Sequence, residues 1–351
     1  MKRFVLLVVV TAFISFYIMA QNQVLNPWGL VYDDALAENV VGQVNIHPVS
    51  YEVGGLRVSA NVYTPAGYTR DGSYAAIVVS HPNGGVKEQV SGMFAQKLAE
   101  AGYIAIACDA RYQGQSSGQP RGNDIPTNRI EDIRGMIDYI SQYPGVDKER
   151  IGAFGICGGG GYTVAAAQSD KRIKAVAALS MFNTGRVRRN GYGDSQLGTI
   201  QERLRQAAEA RQHQVETGEV VYPPKQQLPT EEQLAAMPFE LYREGIFYYG
   251  TSKYRHENDG SSAPVGCMLD LMMWDATDRM ELIDQPLLLM TGEKSDSKYM
   301  TDDAMAKATG TANKEMFVVP GASHIKTYYV PEYVEQERAK VVEFFNKWLQ
   351  K

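Results

Sequence analysis

Along most of the chain, short apolar runs alternate with longer amphipathic stretches, and glycines or small polar clusters separate them. Residues 46–53 and 56–63 are β-rich runs joined at Gly54-Gly55, which reads as a hairpin. Residues 75–80 and 103–108 are compact apolar runs, the pattern of buried strands. Between them, residues 89–101 form a helical segment that stops at Gly102. Residues 128–142 carry Ile130, Ile133, Ile137 and Ile140 on one helical face. A strand at 150–154, a helix at 158–168 and a strand at 173–180 follow. The alternation then stops. Residues 183–284 hold helical stretches at 200–216, 231–243 and 266–280 with no convincing strand pair. It resumes with a strand at 286–291, a helix near 302–309, a strand at 315–319 and a last helix at 331–349.

Repeated strand–helix units predict an α/β protein: a mostly parallel, eight-stranded sheet with helices on both faces. Residues 21–182 and 285–351 supply this core, and residues 183–284 are inserted as a helical cap over the C-terminal edge of the sheet. The first twenty residues differ from the rest. Lys2 and Arg3 precede an apolar run over 4–19, broken only by Thr11 and Ser15, and Ala20 gives way to Gln21-Asn22-Gln23. This is the pattern of a secretory signal peptide, so the protein is expected to be exported, periplasmic or secreted. Ile18 stands where a cleavage site prefers a small residue, which leaves an uncleaved membrane anchor over residues 4–20 as the alternative. That segment is the one expected contact with a membrane.

Apolar residues make up 44% of the 351-residue chain and charged residues 21%, a globular composition. Removing residues 1–20 moves the net charge from −5 to −7, which argues against nucleic acid as a partner. Cys108, Cys157 and Cys267 are too few, and odd in number, for a disulfide framework. No Cys/His grouping has zinc spacing, so no metal and no cofactor are expected.

The odd thiol has a chemical reading. Gly155-Ile156-Cys157-Gly158-Gly159 lies between a predicted strand and a predicted helix, the setting of a nucleophile elbow with cysteine in the serine position. Placement at a helix N-terminus is expected to favour the thiolate. A literal G-x-S-x-G also occurs at Gly114-Gln115-Ser116-Ser117-Gly118, but it runs into Gln119-Pro120-Arg121-Gly122, a loop and not a helix. Gly158–Gly161 lacks the Lys-Ser/Thr of a phosphate loop. In an elbow of this kind the acid and then the histidine follow the nucleophile in the chain. His47 and His81 precede Cys157, His213 and His256 fall in the inserted block, and His324 follows the last predicted strand as the candidate base. The acid should follow the strand at 286–291; Asp296 is preferred, with Glu293, then Asp302 or Asp303, as alternatives. His81-Pro82-Asn83-Gly84-Gly85 follows the strand at 75–80, where a second oxyanion donor is expected from Asn83 or Gly84, the first being the N–H of Gly158. Glu88 reads as a cap of the following helix, with contact to the nucleophile's surroundings as the alternative, and Asp109 and Arg111 as members of a buried structural ion pair.

These motifs, in this order, resemble the α/β-hydrolase superfamily, and within it the dienelactone-hydrolase-like branch, where a Cys-Asp-His triad occurs. The resemblance covers about residues 45–350. It implies a hydrolase of acyl esters, lactones or thioesters that passes through an acyl-cysteine, acting on a small-molecule acyl substrate. A peptidase of the same fold, an acyltransferase and a catalytically silent binding protein are the alternatives. Tyr242, Phe247, Tyr248, Tyr249, Tyr254 and Trp274 in the inserted block point to a small or medium, mostly apolar or aromatic acyl group.

Overall fold

The structure, a computed structural model, describes residues 26–224, 227–260 and 262–350. The expected leader at residues 1–20 lies outside them. Among the described residues, no helix is long and apolar enough to cross a membrane.

The expected hairpin is β1 (Asn45–Val53) and β2 (Leu56–Thr64), paired antiparallel in register about the Gly54-Gly55 turn. The chain continues through β3 (Tyr74–Ser80), α1 (Val90–Glu100), β4 (Ile104–Cys108), α2 (Pro126–Ile140), β5 (Val146–Ile156), α3 (Gly158–Ser169) and β6 (Ile173–Leu179). After the insertion come β7 (Leu287–Gly292), α9 (Lys298–Lys307), β8 (Lys314–Val319) and α10 (Pro331–Leu349). The eight strands form one sheet in the order β1-β2-β4-β3-β5-β6-β7-β8. From β4 onward each neighbour runs parallel. The expected mostly parallel, eight-stranded α/β sheet is therefore present, and it is the sheet of an α/β hydrolase.

The central strands are apolar on both faces because helices cover both. Ile77, Val79, Ala105 and Phe154 pack toward α1 and α10, whose Phe94, Leu98, Phe344 and Phe345 are buried against them. Val78, Ile106, Ala153 and Val176 face α2 and α3, against Ile133, Ile137, Val164 and Ala167. All parallel strands end on one edge, so the loops after β3, β5, β7 and β8 converge there.

The insertion joins β6 to β7 through α4 (Thr184–Asn190), α5 (Ile200–Thr217), α6 (Glu231–Ala236), α7 (Glu240–Ile246) and α8 (Met268–Met273), with a π turn at Phe247–Thr251. Two sequence expectations change here. The helix expected over 231–243 is two helices, broken at Met237-Pro238-Phe239, because Pro238 has no N–H to donate and drives Met237 to extended geometry (φ −67°, ψ 127°). The helix expected over 266–280 stops at Met273. Asp275 turns the chain instead, its carboxylate accepting from the Thr277 N–H and hydroxyl at 2.9 and 2.7 Å.

Candidate active site

Cys157 stands at the junction of β5 and α3 with φ 54° and ψ −121°, a conformation in which an L-residue is strained. The surrounding chain holds it there. Its N–H donates to Leu179 O at 2.9 Å, and its carbonyl accepts from Phe182 N at 2.9 Å and Gly161 N at 3.2 Å. The flanking glycines are required by close approach. A Cβ on Gly155 would lie 2.4 Å from Gly159 O, and one on Gly159 would lie 2.5 Å from both Ser80 O and His81 O. The turn thus presents the thiol at the C-terminal edge of the sheet while packing β5, α3 and the loop after β3 at backbone contact.

Three groups beside the sulfur favour its charged form: the hydroxyl of Tyr328, the backbone N–H of Gly158 and the backbone N–H of Asn83. Of the two residues expected to donate from the loop after β3, Asn83 is the one that reaches it. Gly84 (φ 74°) instead accepts from Gly260 N at 2.8 Å through its carbonyl. Asn83 is steadied by its amide, which donates to Thr184 Oγ1 at 2.8 Å. Burial pushes the Cys157 thiol above its ordinary range, and the bonds from Tyr328, Gly158 and Asn83 oppose this without reversing it. Burial thus opposes the thiolate that the helix N-terminus was expected to favour.

His324 follows β8 and is buried. Its Nδ1 lies 2.5 Å from Ser297 Oγ, which lies 2.8 Å from Ser295 Oγ. Its Nε2 lies 2.9 Å from the Tyr328 hydroxyl. Burial drives its pKa down to about 3, so the resting imidazole is neutral.

Asp296 departs from expectation. No hydrogen bond joins it to His324. Its two carboxylate oxygens accept from the Tyr192 hydroxyl at 2.7 Å and from Leu241 N at 3.2 Å. The turn after β7 carries Asp296 toward the inserted helices and leaves the neighbouring Ser297 facing the imidazole. The alternatives fare no better. Glu293 accepts from Gly321 N at 2.8 Å, Asp302 pairs with Lys298 and Asp303 with Lys307. Among the described residues, the hydrogen-bond partners of the His324 ring are thus Ser297 and Tyr328, and none of the four carboxylates is among them. The sequence reading missed Tyr328 and Ser297. His324 and Tyr328 are four residues apart, and that spacing on the turn after β8 was the available signal.

The insertion closes over this group. Glu244 of α7 accepts from the Ser323 hydroxyl at 2.6 Å and pairs with Lys326 at 3.0 Å, on either side of His324. Tyr248 stands edge-on to Tyr328, with ring centroids 5.4 Å apart at 80°. Phe182 is likewise edge-on to His324 at 6.3 Å. The hydroxyl of Tyr249 is buried and has no hydrogen-bond partner among the described residues.

The other candidates are structural. Ser116 accepts from Ser59 N at 2.8 Å and donates to Asp109 O at 2.7 Å, away from Cys157. The ring of His81 lies 2.7 Å from Pro82 O through Nδ1 and accepts from Ala110 N at 3.1 Å through Nε2. Glu88 caps no helix; it joins Lys87 and Asp109 in a buried charged cluster behind the Asn83 loop. Arg111 pairs with buried Asp132, so Asp109 and Arg111 are both in buried pairs but with different partners.

Residues 54–259 match the family model described as X-Pro dipeptidyl-peptidase (S15 family). The matched span holds Cys157 and the Asn83 loop but ends before His324. The chain is 36% identical over 297 residues to the uncharacterized protein YcjY of Escherichia coli K12, covering 84% of this chain and 95% of that one. The crystal structure of the hypothetical protein PA2218 from Pseudomonas aeruginosa superposes with a TM-score of 0.80 at 31% identity, over 89% of this chain and 96% of that one. The α/β hydrolase GrgF from Penicillium sp. superposes with a TM-score of 0.69 at 22% identity, over 88% of this chain and the whole of the other, a likeness of fold. The matching family is not the dienelactone-hydrolase branch. The chain is an α/β-hydrolase enzyme and belongs to the X-Pro dipeptidyl-peptidase (S15) family.

Proposed function

We propose that the protein hydrolyses small acyl esters or thioesters through a covalent acyl intermediate on Cys157. His324 serves as the proton acceptor, and the N–H groups of Asn83 and Gly158 serve as the oxyanion hole. The observation that carries this reading is the strained Cys157 turn, with its sulfur facing two converging backbone N–H groups. Strain of this kind persists where the surroundings enforce it, and two N–H groups beside a nucleophile can receive the charge that develops on a carbonyl oxygen. The thiol attacks the carbonyl carbon, and the acyl-cysteine then reacts with water.

The substrate class follows from the leaving group and the roof. A tetrahedral adduct on sulfur expels whichever group leaves more readily. A thiolate leaves more readily than an unprotonated amine, so amide cleavage needs strong acid assistance. Esters and thioesters need less. The aromatic rings of Phe182, Tyr192, Tyr242 and Tyr249 suit a compact apolar or aromatic acyl group.

A second reading is favoured by the family match: a peptidase acting on a short peptide with proline in second position. The two separate on a substrate panel. We expect kcat/KM for 4-nitrophenyl acetate, 4-nitrophenyl benzoate and an acyl thioester to exceed that for an Ala-Pro 4-nitroanilide by at least about tenfold, the direction set by the leaving-group argument. Cleavage of the anilide or of casein without ester turnover would establish the peptidase reading instead.

A further inference from the structure

In a nucleophile–base pair of the usual kind the imidazole touches the nucleophile. Here a third side chain stands between them. Tyr328, on the short turn Lys326–Tyr328 that follows His324, sets its hydroxyl 2.9 Å from His324 Nε2 and lies beside the Cys157 sulfur. No direct hydrogen bond joins Cys157 to His324 among the described residues. The phenol ring is 1% exposed and is held edge-on by Tyr248 at 5.4 Å and by His324 itself at 5.7 Å. It therefore has one place to put its oxygen.

We propose that Tyr328 is a catalytic residue that carries the proton from the Cys157 thiol to His324. This rests on the reading of Cys157 as the nucleophile. As sulfur attacks, the S–H bond breaks and its proton goes to the Tyr328 oxygen, while the phenolic proton goes to His324 Nε2. The sulfur electron pair forms the bond to the carbonyl carbon, and the carbonyl π pair moves onto the oxygen beside the Asn83 and Gly158 N–H groups. Tyr328 begins and ends the step as a neutral phenol. His324 becomes an imidazolium whose Nδ1–H is held by Ser297, and it later returns a proton by the same route to the departing alkoxide or thiolate. This requires the resting imidazole to carry its proton on Nδ1, the tautomer that a serine acceptor at 2.5 Å permits.

The surroundings support a two-proton step. Burial pushes the thiol and the phenol up and the imidazole down. A resting thiolate–imidazolium pair and a free phenolate are both disfavoured, so charge should appear only as the substrate carbonyl receives it. The competing role for Tyr328 is that of a spacer, which holds His324 away from the thiol until it moves.

The test uses the full chain and its Tyr328→Phe variant, which keeps the ring and its packing. Acylation by 4-nitrophenyl acetate is followed in a single turnover for wild type, Tyr328→Phe, His324→Ala and the double variant. The rate is also measured in mixtures of light and heavy water. Tyr328→Phe is expected to slow acylation about a hundredfold, within the range for general base assistance. The double variant should be no more than about threefold slower than the worse single, as for residues acting as one unit. The wild-type rate should bend downward with deuterium fraction, the mark of two protons in motion, and the Tyr328→Phe rate should fall on a straight line. A Tyr328→Phe rate within about threefold of wild type, or faster than it, would overturn the relay; the faster rate would identify the spacer. Independent, multiplying effects of the two substitutions would overturn it as well. Unchanged ester turnover in Cys157→Ala would remove the nucleophile reading and the relay together, and so marks that failure apart from the others.

Discussion

Replacing His324 by alanine should lower kcat/KM on an activated ester by about two to four orders of magnitude, whereas Asp296→Asn should cost less than about tenfold. His324 is the proposed proton acceptor, and its Nε2 lies 2.9 Å from the Tyr328 hydroxyl. Asp296 reaches neither the imidazole nor the thiol. Its carboxylate ties Tyr192 and the first turn of α7 to the loop after β7. An asparagine there keeps one acceptor and turns its amide toward a second donor, so the expected damage is to the seating of the inserted helices and shows mainly in KM. Ser297→Ala removes the group 2.5 Å from His324 Nδ1 and should fall between the two in kcat. Steady-state kinetics of the three variants check this ordering. If Asp296→Asn proves as crippling as His324→Ala, the carboxylate is the imidazole's partner after all.

The second large effect concerns stability. Lys87→Met should destabilise the protein by about 3–5 kcal/mol, the range for breaking a buried ion pair from one side. Lys87 Nζ donates to Asp109 at 3.0 Å and to Glu88, and all three side chains are buried. Asp109 also accepts from Lys87 N and Gln115 N, each at 2.8 Å, so the cluster fixes the chain just past the Asn83 loop. Methionine would leave two carboxylates facing each other out of water. The pH dependence has a definite sign. Burial, and next the charge of Asp109, raise Glu88 to about 7. A carboxyl of about 4.3 when unfolded favours the folded state below that value, and the benefit is lost as pH rises toward 7. Without Lys87 the upward pressure on Glu88 grows. The deficit in Lys87→Met should therefore be larger at pH 8 than at pH 5.5, measured by urea unfolding. A loss under about 1 kcal/mol, or one independent of pH, would contradict the account.

The strands and the tight turn at Cys157 were legible in the sequence because local rules dictate them. Apolar runs of strand length predict β3 to β8, and Gly155 and Gly159 mark the turn that only glycine can line. The position of His324 on the loop after β8 was legible from its place after the last strand. The side chain that faces its Nδ1 was not. Ser295, Asp296 and Ser297 are consecutive, and which one faces the histidine depends on how the turn after β7 is rotated. That rotation is set by Tyr192 and Leu241, more than fifty residues away in the chain. The burial of the thiol was not legible for a similar reason. A helix N-terminus is visible in sequence, whereas the burial that overrides it comes from packing by the insertion. Apart from its spacing from His324, nothing local in the sequence singles out Tyr328; the turn at Lys326–Tyr328 is what brings its hydroxyl to 2.9 Å from His324 Nε2.

The central claim is that acyl transfer runs through Cys157. The most direct measurement is the mass of the intact protein, acid-quenched during turnover of 4-nitrophenyl acetate, followed by peptide mapping. One acetyl group on the peptide that contains Cys157, and none on Cys157→Ala, is the predicted result. Acetylation at Ser116, or full turnover by Cys157→Ala with no acetyl group on the chain, would contradict it.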